Sequence, residues 1–167
     1  MRVTNMKKWD TRAHEVAFLF NPAFCGRVLY STIYAYSKKT NKDLPFPLIY
    51  LVLPLVLHKD TRNKINSRTQ LHIWIQQNPD LLVDFPQRAK ELVPITNEAI
   101  EFLLQTNKIQ LTENGELKVS PISRLLSKSR FVDEEISECL TKGEHVGRWL
   151  ASAGNVEVVY IKLGVKP

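Results

Sequence analysis

The feature that most constrains this chain is an apolar run in its first third, residues 44–58, LPFPLIYLVLPLVLH, which three prolines interrupt. Pro45 and Pro47 push the residues before them into extended backbone, and Pro47 can then occupy the first position of a helix. Such a helix is apolar on every side and must therefore be buried on every side. Pro54 removes one backbone hydrogen bond and is expected to kink it. A central β-strand is disfavoured because proline donates nothing to a ladder.

The same run is too short to span a membrane, because a spanning helix needs about 20 apolar residues. The stretch from Leu44 to Leu57 has 14 residues, and charged residues lie on both sides of it. The amino terminus, MRVTNMKKWDTRAHE, is polar and unlike a signal peptide. Cys25 and Cys139 are far apart, which is typical of buried thiols in a reducing compartment. We therefore expect a cytoplasmic protein.

Most of the remaining sequence has helical patterns. Asp10 or Thr11 is a plausible N-cap of a first helix, and Asn21-Pro22 separates it from a second helix that starts at Pro22 and forms a hairpin with it. Later helices are predicted at 69–77, at 80–93 and from Thr96, as an N-cap, towards Lys108, and residues 58–69 are predicted to form a polar connection.

Residues 109–119 carry the clearest local signal. Two short alternating strands flank Asn114-Gly115, the dipeptide preferred in two-residue hairpin turns because both positions accept positive φ. Two helices followed by a hairpin is the order of a winged-helix unit. The β-branched run VEVVYIKLG predicts one more strand, 156–163, beside the hairpin.

These patterns together predict an α+β fold that is mostly α-helical. We expect a single domain over residues 1–167, with a helical part at about 10–92 and a winged-helix-like part at about 93–167. Its small antiparallel sheet is predicted to consist of the hairpin 109–119 and the C-terminal strand 156–163.

A long helix is predicted in DEEISECLTKGEHVGRWLASAG, because acidic residues stand in its first turn, where the helix dipole favours them. Gly143 and Gly147 lie inside it on one face, and each costs about 1 kcal/mol relative to alanine. Close approach of another backbone would justify that cost. Gly154 is a suitable C-terminal stop.

No catalytic or metal-binding motif is recognisable. None of the four histidines has a histidine or cysteine at metal-ligand spacing, and phosphate-binding and nucleophile-elbow motifs are absent. Cys25 could form a thiol dyad with a distant histidine. Because it lies at an apolar helix start, a buried inert thiol is the favoured interpretation. No catalytic residue, metal or cofactor is therefore predicted.

Positive charge is concentrated in the first part of the chain. Residues 1–72 hold 12 Lys and Arg against 4 Asp and Glu, whereas residues 73–167 hold 11 against 13. This asymmetry favours either an acidic partner, such as nucleic acid, or a solvated basic surface. The helix before the hairpin carries Glu98 and Glu101, which repel phosphates, so it suits packing on protein better than reading DNA. The cations predicted to contact a DNA backbone are Lys59, Arg62, Lys64, Arg68, Arg124, Lys128 and Arg130.

Several proline-containing blocks carry a family resemblance. They are LFNPAFCGRVLY, LPFPLIYLVLPLVLHKDTR, WIQQNPDLLVDFPQRAKELVPITNEAIEFLL, GRWLASAG and YIKLGVKP. In this order, from about Leu19 to Pro167, they resemble the middle component of bacterial three-component ABC systems, the Lamassu-type defence operons.

The resemblance implies a small non-enzymatic subunit encoded between an SMC/Rad50-like ATPase and an effector, often a nuclease. Such a subunit would bridge the two and hold the effector inactive until foreign DNA is sensed. DNA contact is then expected only within the complex, and no membrane is involved.

We interpret the apolar run as part core and part docking surface, with prolines that reduce the order lost on binding. A simply buried helix is the alternative for this run. The residues predicted to form a partner interface are Phe46, Leu48, Tyr50, Pro54, Gly143, Gly147, Arg148 and Trp149. The alternative function is a winged-helix DNA-binding transcriptional regulator, and a third class, an unrecognised enzyme, would depend on Cys25, His58 or His145.

Overall fold

The protein is mostly helical and carries a small antiparallel sheet, in agreement with the predicted α+β class. The computed structural model describes residues 19–121 and 133–166. The predicted first helix, and hence its hairpin with the second, lies outside the described residues.

The described elements follow one another with short connections. In chain order they are α1 (Pro22–Thr40), β1 (Leu44–Pro45), a 3-10 helix (Phe46–Leu51), α2 (Val52–Val56), α3 (Lys59–Lys64), α4 (Leu71–Gln77), a second 3-10 helix (Pro79–Leu82), α5 (Phe85–Glu91), α6 (Val93–Gln105), β2 (Ile109–Leu111), β3 (Glu116–Val119), α7 (Glu134–Ser152) and α8 (Val156–Lys162).

The two long helices, α1 and α7, pack against each other along their lengths. Each begins with a side-chain cap: Asn21 Oδ1 accepts a hydrogen bond from the Ala23 amide at 2.7 Å, and Asp133 Oδ1 accepts one from the Glu135 amide at 2.8 Å. Because the caps satisfy amides that have no partner within the helix, they fix where each helix starts. The predicted starts of both helices are confirmed.

Glycine lets α1 and α7 approach closely. A Cβ added at Gly147 would lie 2.5 Å from the carbonyl oxygen of Thr32, and one added at Gly143 would lie 3.1 Å from that of Val28. The Thr32 hydroxyl donates across the interface to the Gly143 carbonyl at 2.8 Å. The predicted close backbone approach is therefore confirmed, and the approaching backbone belongs to this same chain.

Most residues of the apolar run are buried, as expected for a segment that is apolar on all sides, whereas Pro47 is exposed and Phe46 and Tyr50 are partly exposed. Leu48 is 1% exposed, and every residue of α2 is buried. The run is not one kinked helix: a 3-10 helix leads into α2, and Pro54 lies in the first turn of α2. A missing N–H is least costly there, because first-turn amides have no partner within a helix.

The sheet has the order β1-β3-β2, with both pairings antiparallel. The predicted hairpin is confirmed, but its turn has three residues rather than two. Leu111 pairs with Leu117, and the Gly115 amide donates to the Thr112 carbonyl at 3.0 Å. Gly115 alone in this turn has positive φ, 73°, which is the geometry of a turn closed by a glycine bulge.

The predicted C-terminal strand 156–163 is wrong. These residues form α8, and the third strand of the sheet is β1, whose Leu44 pairs with Leu117. Helical periodicity prevails over β-propensity here, because Val159, Tyr160 and Leu163 are buried on one side of α8. Asn155 starts the helix by accepting a hydrogen bond from the Val158 amide at 2.9 Å.

Three helix boundaries also differ from the predictions. Helix α6 begins at Val93 with a proline in its first turn, so Thr96 is an interior residue rather than the N-cap. Residues 58–69 are not merely a connection, since His58 caps α3. The helix predicted at 80–93 is split into the second 3-10 helix and α5.

Buried apolar residues from both predicted parts of the chain belong to one cluster. Leu29, Leu53 and Trp74 come from the first part, and Leu117 and Leu150 from the second. The buried residues of the apolar run therefore contribute to a core that both predicted parts share.

Candidate functional site

An apolar cleft of about 550 Å³ opens where the first 3-10 helix, α5, the start of α6 and the C-terminal segment meet. Its volume is in the range of ligand and peptide pockets. The apolar and aromatic residues that line it include Tyr50, Pro86, Ala89, Val93, Tyr160 and Val165. The cleft thus lies directly beside the buried apolar run and is built from segments far apart in sequence.

Two tyrosines are held in the wall of this cleft by hydrogen bonds to the chain itself. The Tyr50 hydroxyl donates to Asn97 Oδ1, and the Tyr160 hydroxyl donates to the carbonyl oxygen of Pro47, each at 2.5 Å. Burial raises the pKa of both phenols, and for Tyr160 the neighbouring Tyr50 adds to the effect. Both rings are therefore fixed, neutral at physiological pH, and suited to contact rather than to proton transfer.

Charge in the lining comes from two exposed lysines, Lys90 and Lys166. Among the described lining residues, none is a carboxylate, histidine or cysteine. The cleft therefore offers an apolar floor with positive charge at the surface. This combination suits an apolar segment flanked by acidic residues.

The structure places the predicted interface residues in two different environments. Phe46, Tyr50 and Arg148 are partly exposed, and the rings of Phe46 and Tyr50 meet edge to face with centroids 5.6 Å apart. The other five, Leu48, Pro54, Gly143, Gly147 and Trp149, are buried within the chain. In this conformation those five can support a surface from beneath but cannot touch a partner themselves.

Arg62, predicted to contact DNA, is instead a core residue. Its side chain is 1% exposed and donates to the carbonyl oxygens of Val56 at 3.0 Å and Leu57 at 3.4 Å, and to Glu135 Oε1 at 2.9 Å. Glu138 Oε2 lies 3.8 Å from Nε, too far for a hydrogen bond. The guanidinium thus satisfies the last carbonyls of α2 and its attached turn and ties them to α7. The prediction of DNA contact is wrong for this residue.

The remaining cations of that prediction are exposed or lie outside the described residues. Lys59, Lys64 and Arg68 are exposed. Arg124, Lys128 and Arg130 fall in 122–132 and are not described. Because Lys59, Lys64 and Arg68 are exposed and no acidic partner for them is known, their predicted contact with DNA stays a prediction.

The two cysteines are buried free thiols, as predicted. The Cys25 thiol lies 3.1 Å from the carbonyl oxygen of Leu19, and burial raises the pKa of the Cys139 thiol to about 11. A protonated thiol is a poor nucleophile. Within the described ranges, no group of three or more His, Cys, Asp or Glu is placed to hold a metal ion.

Comparison with known families identifies the kind of subunit to which this fold and cleft belong. Residues 9–167 match the family described as ABC-three component (ABC-3C) system Middle Component 3. The chain therefore belongs to this family of middle components. No curated protein matches the chain, and no solved structure does. None of the described helices is both long enough and apolar enough to cross a membrane.

Sequence patterns identified Tyr50 but missed the rest of the cleft. The β-propensity of residues 156–163 predicts a strand at Tyr160. No sequence pattern indicates Val93 or Val165, because their neighbours in the cleft are remote in sequence. The Asn155 cap could have revealed α8 and with it the position of Tyr160.

Proposed function

We propose that this middle component is a non-enzymatic adaptor of a Lamassu-type defence system against phages and plasmids. It bridges an SMC/Rad50-like ATPase and an effector, with a nuclease as the expected effector, in the cytoplasm. The observation that carries the proposal is the apolar cleft between Tyr50 and Tyr160, together with membership of a middle-component family.

The cleft supports an adaptor role because two tyrosines of its wall are held in position before any partner binds. Tyr50 and Tyr160 are each tied by a hydrogen bond to another segment. A preformed surface loses little conformational entropy on association, so apolar contact is converted into affinity efficiently. Fixed tyrosines are also frequent contributors to the energy of protein interfaces.

We infer that the occupant of the cleft is an apolar segment with acidic flanks from one of the two partner subunits. Tyr50, Val93 and Val165 would contact its apolar side chains, and Lys90 and Lys166 would face its carboxylates. The apolar run then has a definite role: Tyr50 contacts the partner, and the buried residues of the run support the cleft from below.

The test is co-purification of the three subunits with Val93→Asp in this chain. Val93 is the first residue of α6, where a carboxylate is favoured by the helix dipole, so the fold should be preserved. A charge in the cleft must be desolvated when an apolar segment docks. Val83→Asp is the matched control, because Val83 is 75% exposed and lies outside the cleft lining.

We expect Val93→Asp to lose at least one partner while Val83→Asp retains both. Circular dichroism of each variant verifies folding. If Val93→Asp retained both partners at wild-type stoichiometry, the cleft would not be the docking site. If the wild-type chain bound neither subunit, the adaptor role itself would be refuted.

A further inference from the structure

A second pocket, separate from the cleft, lies between the C-terminal ends of α1 and α7 and the loop that leads into α4. Its volume is about 120 Å³. The residues that define its chemistry are Lys39, Ser67, Arg68, Thr69, His145 and Arg148. Three permanent cations and two hydroxyls therefore converge on one small cavity.

Among the described residues, the three cations of this pocket form no ion pair. Within residues 19–121 and 133–166, no carboxylate oxygen lies within 4.0 Å of a side-chain nitrogen of Lys39, Arg68 or Arg148. Glu144 lines a neighbouring depression, which shares Lys39 and Arg148 with the pocket. Like charges brought together without a counterion repel one another, so an anion bound among them would be stabilised.

The loop that carries Arg68 is held firmly in place. The Trp149 indole donates to the Thr69 carbonyl at 2.7 Å, and the Trp74 indole donates to the Lys64 carbonyl at 2.9 Å. The Lys142 ammonium donates to the carbonyl oxygen of Ile65. Three donors from α4 and α7 thus fix both ends of a loop whose backbone could otherwise move. The pocket is preformed, which lowers the entropy lost when a ligand binds.

We propose that this pocket binds a phosphate group. At about 120 Å³ the cavity is well below the roughly 300 Å³ at which pockets for drug-sized ligands begin. That is room for one tetrahedral oxyanion but not for a whole nucleotide. Arginine and lysine are the side chains that bind phosphate oxygens most strongly, and a hydroxyl such as that of Ser67 can donate a further hydrogen bond.

The phosphate can be the free ion or the phosphate of a nucleotide. In the second case the nucleoside would extend into the neighbouring depression of about 340 Å³, which Tyr34 and Lys38 also line. Tyr34 offers an aromatic ring there, and rings of this kind stack on nucleobases. The two sources share the same contacts with Lys39, Arg68 and Arg148 and differ only in this depression.

The experiment is a titration of the purified full chain with inorganic phosphate, followed by nuclear magnetic resonance of the amides of residues 67–70 and the Trp149 indole. Sodium chloride at matched ionic strength is the reference, and adenosine monophosphate is the second ligand. The variants are Lys39→Gln and Arg68→Gln. Lys38→Gln is the matched control for the phosphate titration alone, since Lys38 lies in the same last turn of α1 and lines the depression but not the pocket. The two lysine changes therefore affect the helix dipole alike.

We expect saturable shifts with phosphate and not with chloride. Lys39→Gln and Arg68→Gln should each weaken phosphate binding about tenfold or more, as for loss of a charge-assisted hydrogen bond, and Lys38→Gln less than about twofold. Tighter binding of adenosine monophosphate identifies a nucleotide as the source, and equal or weaker binding identifies the free ion. Equal shifts with chloride, or equal losses in Lys38→Gln and Lys39→Gln, would overturn the proposal.

Discussion

Replacing Gly147 by alanine should destabilise the protein, because the contact between α1 and α7 leaves no room for a methyl group. The added Cβ would lie 2.5 Å from the carbonyl oxygen of Thr32 and 3.0 Å from the Cβ of Ala35. The first neighbour is backbone inside a 19-residue helix and cannot turn aside as a flexible side chain could. One helix must therefore move away from the other.

Two opposing effects set the magnitude. Overpacking of a close-packed core costs about 1–3 kcal/mol, whereas alanine in place of glycine inside a helix gains about 1 kcal/mol. Because the added Cβ would lie only 2.5 Å from backbone, the cost belongs at the upper end of that range, and we expect Gly147→Ala to lose about 2 kcal/mol. For a chain of this size each kcal/mol corresponds to a decrease in Tm of about 2–4 °C.

Gly143→Ala is the matched comparison, since it gives the same gain in helix propensity in the same helix. Its Cβ would lie 3.1 Å from the Val28 carbonyl oxygen and 3.2 Å from Val28 Cγ1, which a shift of a few tenths of an ångström relieves. We expect this variant to remain within about 1 kcal/mol of the wild type, because the gain and the smaller strain offset each other.

Urea unfolding of the three proteins, followed by circular dichroism and tryptophan fluorescence, measures both differences. The order of stability should place Gly147→Ala clearly lowest. A Gly147→Ala variant at least as stable as the wild type, or one more stable than Gly143→Ala, would show that the helices do not approach as described.

Three further predictions concern buried polar groups. Arg62→Met should lower the free energy of unfolding in urea by at least about 2 kcal/mol, because the carbonyls of Val56 and Leu57 lose their hydrogen-bond donor. A change below about 0.5 kcal/mol would contradict this prediction. Burial lowers the pKa of His58 in the folded protein, so as the pH decreases the unfolded state binds a proton before the folded state does. The free energy of unfolding should therefore be highest above about pH 6.5 and should fall as the pH decreases from there through the folded pKa. His58→Ser keeps a side chain that can cap the helix, and it should make the urea midpoint of unfolding less dependent on pH. An unchanged pH dependence would refute the role of His58. The Cys139 thiol, whose pKa burial raises to about 11, should react with Ellman's reagent at pH 8 only as fast as the chain unfolds, and rapid labelling of the folded protein would contradict its burial.

The parts of the fold that were predictable depend on signals within a few residues. Asn21 and Asp133 cap the two long helices, and Gly115 closes the hairpin turn, because each side chain or backbone angle acts on its immediate neighbours. The burial of the apolar run also followed from local composition alone. Local chemistry decides such features before any tertiary contact forms.

The parts that were missed depend on contacts between remote segments. Residues 156–162 have strong β-propensity, yet they form α8 because one helical face packs on the core, and packing prevails over propensity. The polar sequence around Arg62 predicts a surface cation. The side chain is buried because it binds backbone carbonyls and Glu135. The cleft brings Tyr50 beside Tyr160, more than a hundred positions later. No periodicity in the sequence encodes such pairs.

The central claim is that this chain physically joins two other subunits, and reconstitution from separately tagged components tests it most directly. The ATPase, the effector and this chain are mixed in all pairs and together, and the mass of each complex is measured by native mass spectrometry. The account predicts that the ATPase and effector form a complex only when this chain is present, with the chain in the assembly. A complex of ATPase and effector of equal abundance without this chain would contradict it.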